Sequence, residues 1–476
     1  MTQLELDDNR AGTTASRVDR IRRRLVLAVA CAAMAMVGLD TAIVNVGLPS
    51  IQRDLGVGRS TVQWVVVVYG LLLGGFLLVG GRLADHLGRR RMFLTGLTVF
   101  TLGSALAGAA GQAGFLIAAR ALQGFGAALT APAALALVAV TFAEGPERDR
   151  ALGIFGAVGG AAGSVGVVAG GLLAGGPGWR WSFFINVPIG LGCIVAAAVF
   201  LTRDEVARAR TRLDLAGATT VTMGLLLAVY ALHHAASQGW FAGSSLLMAA
   251  GSVLLLVLFV RIEARSAAPL VPASTLRNRR LVVANLTAFL AFCVLLAFIF
   301  VGSLLMQQVL GYTPIRTGLY WLATTVTVVL ASMTGARLVA KIGVRPMLVI
   351  GLVVVTTGAL WLTRVPTHST YAIDLLPAFL LAGVGFGFCG PALQIGALSG
   401  VSSADSGLAS GLVETMRELG GAAGVATVST VLVASNGVHA FHSAFAFIAG
   451  LAVLGAIVAA VGFRSTAGGG DGRLSS

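Results

Sequence analysis

Residues 81–91 read Gly-Arg-Leu-Ala-Asp-His-Leu-Gly-Arg-Arg-Arg, and two long apolar runs flank them. The stretch combines one acid, two turn-forming glycines and four arginines. A turn with this much charge is too costly to lie in the hydrocarbon core of a bilayer. It must therefore lie at a membrane surface, and its excess of arginine predicts the cytoplasmic side.

The composition of the whole chain agrees with a membrane protein. Of 476 residues, 57% are hydrophobic and only 11% are charged, which excludes a soluble globule. The net charge of +14 does not indicate nucleic-acid binding, because the arginines recur in short clusters between apolar runs of spanning length. We expect anionic lipid headgroups as their partners. The four cysteines stand alone in apolar runs, so neither a disulfide framework nor a metal site is expected.

Apolar runs of about 20 residues predict fourteen transmembrane helices. No period-two alternation typical of a membrane barrel is present, which leaves an all-α integral membrane protein. The predicted spans are 25–49, 61–81, 92–112, 114–140, 150–175, 181–201, 213–234, 242–262, 281–309, 315–338, 344–363, 371–398, 406–435 and 441–463.

Arginine is distributed unequally between the two sides of the predicted membrane. One side carries the tail 1–24 and the loops around 89–91, 203–212, 261–280 and 337–345. The other side holds only Arg53, Arg59, Arg180, Arg316 and Arg364. The positive-inside rule then predicts that the tail 1–24 and the C-terminal tail 464–476 are both cytoplasmic, in the inner membrane of a cell.

The chain contains an internal repeat. Arg337–Gly343 matches Arg82–Gly88 in spacing and occupies the corresponding loop of a second block of spans. Ala340 replaces Asp85 in the second copy, so the two loops cannot act identically. We expect two six-helix bundles, 25–201 and 281–463, separated by an additional helix pair and a basic linker in 202–280.

Several motifs resemble those of the major facilitator superfamily, and within it the fourteen-span drug:proton antiporters. The matching segments are Gly81–Arg90, Leu39–Pro49, Arg120–Ala127, Trp179–Gly190 and Arg417–Gly421. The resemblance covers nearly the whole chain and implies the major facilitator fold, two six-helix bundles plus two extra central helices. It also implies alternating access coupled to protons. One departure is Val167, which stands where the fifth-span antiporter motif normally has a proline.

Charged residues inside predicted spans are candidates for proton coupling. Asp40 lies about 24 Å along the first helix, and Arg120 about 9 Å into the fourth from the opposite side, so their depths coincide. If the two helices are neighbours, as the resemblance implies, the residues can form a buried ion pair. Protonation of Asp40 would release Arg120, and a cationic substrate could compete for the carboxylate. The alternative is a permanent structural ion pair.

A second charged group lies in the predicted span 406–435. Glu414, Arg417 and Glu418 are spaced at i, i+3 and i+4, so they share one helix face with a net negative charge. Such a face suits a cationic substrate or a second proton, and we assign Glu414 to proton coupling. Neutralisation within the helix is the alternative. The predicted substrate cavity comprises Tyr69, Gln123, Arg417 and Glu418.

The charged turn itself is a candidate conformational gate. By the resemblance, Asp85 contacts the positive end of a helix from the other half and holds the cytoplasmic side shut. The alternative is a solvated charged turn. The predicted gate residues are Gly81, Asp85, Gly88, Arg89 and Arg90.

The leading functional prediction is a proton-coupled exporter of hydrophobic, cationic or neutral drugs or antibiotics, acting as a monomer without cofactor or metal. A dedicated exporter of an endogenous secondary metabolite is the first alternative, and a membrane-embedded ligand sensor is the second. No nucleophile and base, metal cluster or phosphate loop is recognisable in a polar segment, which argues against an enzyme.

Overall fold

The structure is a computed structural model that describes residues 3–143, 145–201, 214–266, 269–271, 278–366, 369–399, 401, 405–433 and 437–463. The predicted C-terminal tail 464–476, the basic loop 203–212 and linker residues 272–277 lie outside the described residues. The described residues form helices and turns and no strand.

The helices follow the predicted apolar runs. Their bounds are α1 Gln3–Leu55, α2 Arg59–Leu87, α3 Arg89–Gly108, α4 Ala113–Thr141, α5 Pro146–Gly175, α6 Trp181–Phe184, α7 Asn186–Phe200, α8 Leu215–Gln238, α9 Gly243–Glu263, α10 Arg279–Leu304, α11 Pro314–Ile342, α12 Val344–Leu362, α13 Leu376–Leu398, α14 Ser406–Val433 and α15 Val438–Gly462. A π-helical turn, Leu305–Val309, extends α10, and another, Tyr371–Leu375, precedes α13. Residues 3–24, predicted as a tail, continue the helix of the first span.

Large apolar side chains cover much of the outer surface. On α9, Leu247 is 75% exposed and Leu254 is 69% exposed. Soluble monomers rarely expose contiguous apolar surface on this scale, whereas a bilayer solvates it. Within the described ranges, eleven helices are long and apolar enough to cross a membrane. The chain is therefore an all-helical, multi-pass membrane protein.

Helix packing repeats between α1–α7 and α10–α15. In the first set α1 packs on α5 and α7, and α4 packs on α2 and α3; in the second, α10 packs on α14 and α15, and α13 on α11 and α12. Gly88 and Gly343 end the second helix of each set with φ values of 102° and 85°. Residues with a Cβ rarely adopt this conformation, which explains why both copies of the repeated turn carry glycine there.

The two halves meet along two seams. The first seam is formed by α2 and α14, and the second by α5 with α11 and α13. The pair α8–α9 packs against the first seam, where α8 contacts both α2 and α14. Both seams follow from the repeat, because each joins the second helix of one half to the fifth helix of the other.

Small residues allow α1 and α5 to approach closely. A Cβ at Gly166 would lie 2.7 Å from Ala42 Cβ, and one at Gly170 would lie 2.9 Å from Ile43 Cα. These separations are shorter than van der Waals contact, so only glycine fits at either position. The glycine-rich fifth helix is thus explained by the close contact that holds Asp40 on α1 against the rest of the first half.

Candidate functional site

Asp40 and Arg120 form an ion pair in the interior of the first half. Arg120 Nη1 donates to Asp40 Oδ2, and both side chains are 0% exposed. Asp40 comes from the middle of α1 and Arg120 from the second turn of α4, and these helices pack together. The contact expected from their matching depths is therefore present.

Two amide side chains complete the hydrogen bonding of the Asp40 carboxylate. Gln123 Nε2 donates to Asp40 Oδ1 at 3.1 Å, and Asn186 Nδ2 donates to the same oxygen at 2.9 Å. Gln123 also donates to Ser104 Oγ at 2.6 Å and accepts from Arg120 Nη1 at 3.0 Å. We call Asp40, Arg120, Gln123, Asn186 and Ser104 the aspartate cluster.

The guanidinium of Arg120 is also fixed by α2. Its Nε donates to the carbonyl oxygen of Val65 at 2.8 Å, and its Cζ lies 4.1 Å from the centre of the Tyr69 ring. Tyr69 in turn donates to the carbonyl oxygen of Val37 at 3.3 Å. Nη2 of Arg120 has no hydrogen-bond partner among the described residues, and a cation–π contact with Tyr69 offsets part of that cost.

The Asp40 carboxylate is held by donors alone in this conformation. All three side chains that reach the carboxylate act as donors, so no acceptor is present to bind a carboxylic proton. A proton on Asp40 would leave Arg120 as an unpaired buried charge, and losing one partner of a buried pair costs about 3–5 kcal/mol. The ion pair is therefore part of what holds α1, α4 and α7 in this arrangement.

The predicted cavity residues Tyr69 and Gln123 both lie inside this arrangement, at 1% and 0% exposure in this conformation. Asn186 and Ser104 were not predicted as site residues. A signal for Asn186 did exist, because it is a polar residue inside the apolar run 181–201 and belongs to the Trp179–Gly190 motif. Ser104 carries no comparable signal, since isolated serines are common in membrane helices.

The charged face of α14 lies at the interface of the halves. Arg417 Nη1 donates to Glu414 Oε1 at 2.5 Å, and its Cζ lies 4.2 Å from the centre of the Phe292 ring on α10. A Cβ built on Gly159 of α5 would lie 3.9 Å from Arg417 Nη2, so the guanidinium reaches toward the first half. The face therefore has neighbours from both halves.

Glu418 completes this face one turn further along α14. A Cβ at Gly74 of α2 would lie 3.9 Å from Glu418 Cβ, so this acid also faces the first half. In the part of the chain that the structure describes, Glu418 makes no ion pair, whereas Glu414 pairs with Arg417. With Glu414, Arg417 and Glu418 ionised, the face carries a net charge of −1.

Asp85 links the two halves at the arginine-rich end of the first seam. Its Oδ1 accepts from the backbone N–H of Gly407 at 2.9 Å, and its Oδ2 accepts from that of Leu408 at 2.8 Å. These N–H groups belong to the first turn of α14, which has no intrahelical acceptors for them and carries the positive end of the helix dipole. Arg89 Nη2 adds a third bond to Asp85 at 3.2 Å, and Asp85 is only 3% exposed.

The other predicted gate residues surround this contact. A Cβ at Gly81 would overlap the carbonyl oxygen of Gly407, so the two helices touch through their backbones. Arg90 Nη2 donates to the carbonyl oxygen of Ala198 at 2.7 Å and so binds α7 within its own half. The turn is therefore packed against the second half through Gly81 and Asp85, and against the first through Arg90.

The second seam is also closed at its arginine-rich end, but no acid there corresponds to Asp85. A Cβ at Gly153 of α5 would overlap Ala336 Cβ of α11, and Ala340 takes the position that Asp85 holds in the first copy. The first turn of α5 contains Glu147 and Asp149, which complement its own dipole. The positive end of α5 thus has acids of its own, whereas that of α14 is met by Asp85 from the other half.

At the opposite end, Asp54 joins α1 to the start of α6. Arg180 Nη1 donates to Asp54 Oδ2 at 2.6 Å, and Trp179 Nε1 donates to it at 3.1 Å. The hydrogen bond from Arg180, and to a smaller extent that from Trp179, lowers the pKa of Asp54 below its ordinary value. The contact lies in solvent and fixes elements within one half.

No group of histidine, cysteine, aspartate and glutamate side chains within the described ranges could hold a metal ion.

Comparison with known proteins supports one family for nearly the entire chain. Residues 30–425 match the family described as Major Facilitator Superfamily. The chain is 37% identical to the puromycin resistance protein of Streptomyces alboniger, over 92% of this chain and 91% of that protein. It is also 37% identical to the cephamycin export protein of Amycolatopsis lactamdurans, over 92% and 93%. A tetracenomycin C resistance and export protein of Streptomyces glaucescens is 33% identical over 91% and 80%.

Solved structures agree on the fold. The human organic anion transporter MFSD10 superposes with a TM-score of 0.67 at 15% identity, covering 92% of this chain and 99% of that one. The proton:xylose symporter XylE superposes with a TM-score of 0.64 at 15% identity, covering 92% and 95%. At this level of identity the likeness extends to the fold alone.

Proposed function

The chain belongs to the major facilitator superfamily and is a membrane transporter, not an enzyme; we propose that it exports lipophilic drugs or antibiotics in exchange for protons by alternating access. The observation that carries the proposal is the aspartate cluster, in which one carboxylate is held by three donors from two other helices. A group that is buried and saturated in one conformation can gain or lose a proton only when the conformation changes, which is the condition for coupling.

The proposal includes fourteen spans, with both termini in the cytoplasm of the cell. Charge distribution supports the orientation, since the arginine-rich ends of the helices lie together and close both seams. The two six-helix bundles correspond to 25–201 and 281–463, and α8–α9 supply the remaining pair. In this orientation the structure is closed toward the cytoplasm.

We assign proton binding to Asp40, with Arg120 as the group that protonation releases, and a second proton or the substrate to Glu414 and Glu418. The charged face of α14 holds two acids against one arginine and lies at the interface that opens and closes. A cationic or neutral lipophilic compound suits such a surface, because an anion would be repelled from it. While Glu414 is paired with Arg417, as in this conformation, Glu418 is the acid left to meet the substrate.

Asp85 acts as the cytoplasmic gate in this proposal. Its bonds to the first turn of α14 exist only while the first seam is closed, so they stabilise the conformation that is open or occluded toward the outside. Breaking them favours the inward-facing conformation. Since Asp85 is far along α2 from the aspartate cluster, its substitution should change the rate of the cycle more than the affinity for substrate.

The names of the relatives support an antibiotic as substrate. The three relatives described above are named for resistance to, or export of, puromycin, cephamycin and tetracenomycin C. The same names favour the second candidate function, export of a secondary metabolite made by the host cell. A ligand sensor is less well supported, because binding alone requires neither a gate nor a buried coupling pair.

Inside-out vesicles that contain the purified chain test the coupling. We expect an imposed pH gradient to drive accumulation of a lipophilic cationic dye, and Asp40→Asn to abolish that accumulation. Exchange of labelled for unlabelled dye without a gradient needs no net proton movement, so it should persist in the variant. Asp54→Asn, on the same helix but exposed, is the matched control and should retain gradient-driven transport.

Full gradient-driven accumulation by Asp40→Asn would refute the coupling role. Loss of both accumulation and exchange, with the protein still inserted and folded, would assign Asp40 to a purely structural ion pair. To distinguish a dedicated exporter from a broad one, the wild-type chain is assayed with a panel of dyes and antibiotics. Transport of a single compound class would favour the dedicated exporter.

A further inference from the structure

The two seams between the halves differ in what covers them. At the first seam, Leu226 of α8 fits into a notch on α2, where a Cβ at Gly75 would lie 2.5 Å from its Cδ2. Trp240 Nε1, in the turn after α8, donates to Thr430 Oγ1 of α14 at 2.5 Å. In the described part of the chain, the extensive packing of α8 is limited to α2, α9 and α14. The extra helix pair therefore covers only the first seam.

The second seam carries a groove instead. Helices α1, α5 and α11 enclose a space of about 450 Å³, which lies within the range of about 300–1,000 Å³ typical of small-molecule sites. Its wall is almost entirely apolar and includes Leu39, Ile154, Val158 and Val329. Ile154 is 38% exposed, so the groove opens to the surroundings of the transmembrane region.

Two arginines define one end of this groove. Arg150 lies in the second turn of α5, and Arg337 lies near the end of α11, so both belong to the arginine-rich face. Both are exposed, and neither forms an ion pair with any described residue. An apolar groove with two cations at the end near the membrane surface matches a molecule that has an anionic head and an acyl chain.

We propose that this groove binds an anionic phospholipid of the leaflet next to the arginine-rich face, with its phosphate between Arg150 and Arg337 and one acyl chain along α5. The site is separate from the charged face of α14 on which the transport proposal rests. A cationic substrate is a poor occupant, because the two arginines in the lining would repel it. Charge complementarity thus favours a lipid over the exported compound.

The extra helices explain why the site occurs once in a pseudo-symmetric fold. The first seam has the same architecture, but α8 fills its outer surface, so a lipid chain cannot enter there. A lipid at the second seam would take the place that α8 takes at the first. It would contact both halves, through α5 and α11, and would stabilise the conformation in which these helices are in contact.

Native mass spectrometry of the purified full chain in detergent tests the proposal. The probes are phosphatidylglycerol and phosphatidylcholine with identical acyl chains. We expect phosphatidylglycerol to bind more tightly, with its affinity reduced about fivefold in Arg150→Gln or Arg337→Gln and about 25-fold in the double variant. Arg345→Gln, an exposed arginine of the same face outside the groove, is the matched control and should change the affinity less than about twofold.

A second variant examines the apolar part of the site. Ala161→Phe places a ring in the groove and should weaken the binding of both lipids without changing the preference for phosphatidylglycerol. Inorganic phosphate at millimolar concentration should not displace the lipid, since it lacks an acyl chain. A dye cation should not displace it either.

Three results would overturn the proposal. Equal affinity for the two lipids would mean that the arginines play no part. An equal loss in Arg345→Gln would show diffuse attraction to the charged face instead of a site. Displacement of the lipid by the lipophilic cation would identify the groove as an access route for substrate.

Discussion

Replacement of Asp85 by asparagine isolates the contact that closes the first seam. The carboxylate accepts two backbone hydrogen bonds from Gly407 and Leu408 at the positive end of α14. Hydrogen bonds to charged groups contribute about 1.5–3 kcal/mol each, and asparagine keeps one neutral acceptor. Allowing for that retained bond, we expect a loss of about 2 kcal/mol from the closed state, or a shift of about 30-fold in the conformational equilibrium.

The assay follows access to the closed seam with a single reporter cysteine. Leu77 is 1% exposed and its carbonyl oxygen faces Gly411 across the seam, so Leu77→Cys should react with a maleimide only when the cytoplasmic end opens. The four native cysteines are buried and give a low background. We expect Asp85→Asn to raise the labelling rate about 30-fold in this background.

Asp405→Asn is the control for this measurement. Asp405 pairs with Arg82 at 3.6 Å across the same seam, but the pair is partly exposed and should contribute less than about 1 kcal/mol. Labelling should then rise less than about fivefold. If Asp85→Asn leaves the labelling rate unchanged, or lowers substrate affinity more than turnover, Asp85 is not a gate.

Three further outcomes are expected. Gly81→Ala should reduce turnover at least about tenfold, because its methyl group would overlap the Gly407 carbonyl. Gly70→Ala on the same helix is the control and should be tolerated, because a Cβ there meets open space. Equal transport rates of the two variants in vesicles would contradict this prediction. Asn186→Leu should lower the free energy of unfolding by about 1–3 kcal/mol, since Asp40 loses a buried donor, and an unchanged melting temperature would argue otherwise. Because the pKa of Asp54 is lowered in the folded protein, the ionised Asp54 contributes fully to stability above about pH 4, and this contribution is lost on further acidification. The melting temperature of the wild type should therefore fall more steeply below about pH 4 than that of Asp54→Asn.

Much of the architecture was predictable because membrane insertion depends on local composition. An apolar run long enough to cross a bilayer must become a helix, and a cluster such as Arg89–Arg91 must stay outside it. The repeated turn ending at Gly88 and Gly343 predicted two related halves, and both glycines end the second helix of a set with positive φ. The family suggested by these motifs is confirmed by the match over residues 30–425.

The site was predictable only in part. The matching depths of Asp40 and Arg120 indicated a contact, because a buried charge needs a partner at its own level in the membrane. Depth alone could not identify Asn186 and Ser104 as further members of the cluster. It also could not show that Tyr69 and Gln123 contact Arg120 in this conformation.

The sequence by itself predicted apolar segments long enough to span a membrane, the clustering of arginine between them and the charged residues inside them. Only the tertiary structure decided that Asp85 binds the first turn of α14, that α8 covers one seam, and that the other seam is left with a groove. The physical reason is that burying apolar length and excluding charge are properties of a single segment. Partners at close range, by contrast, are set by how separate helices approach, and that depends on small residues such as Gly75, Gly81 and Gly153 on facing surfaces.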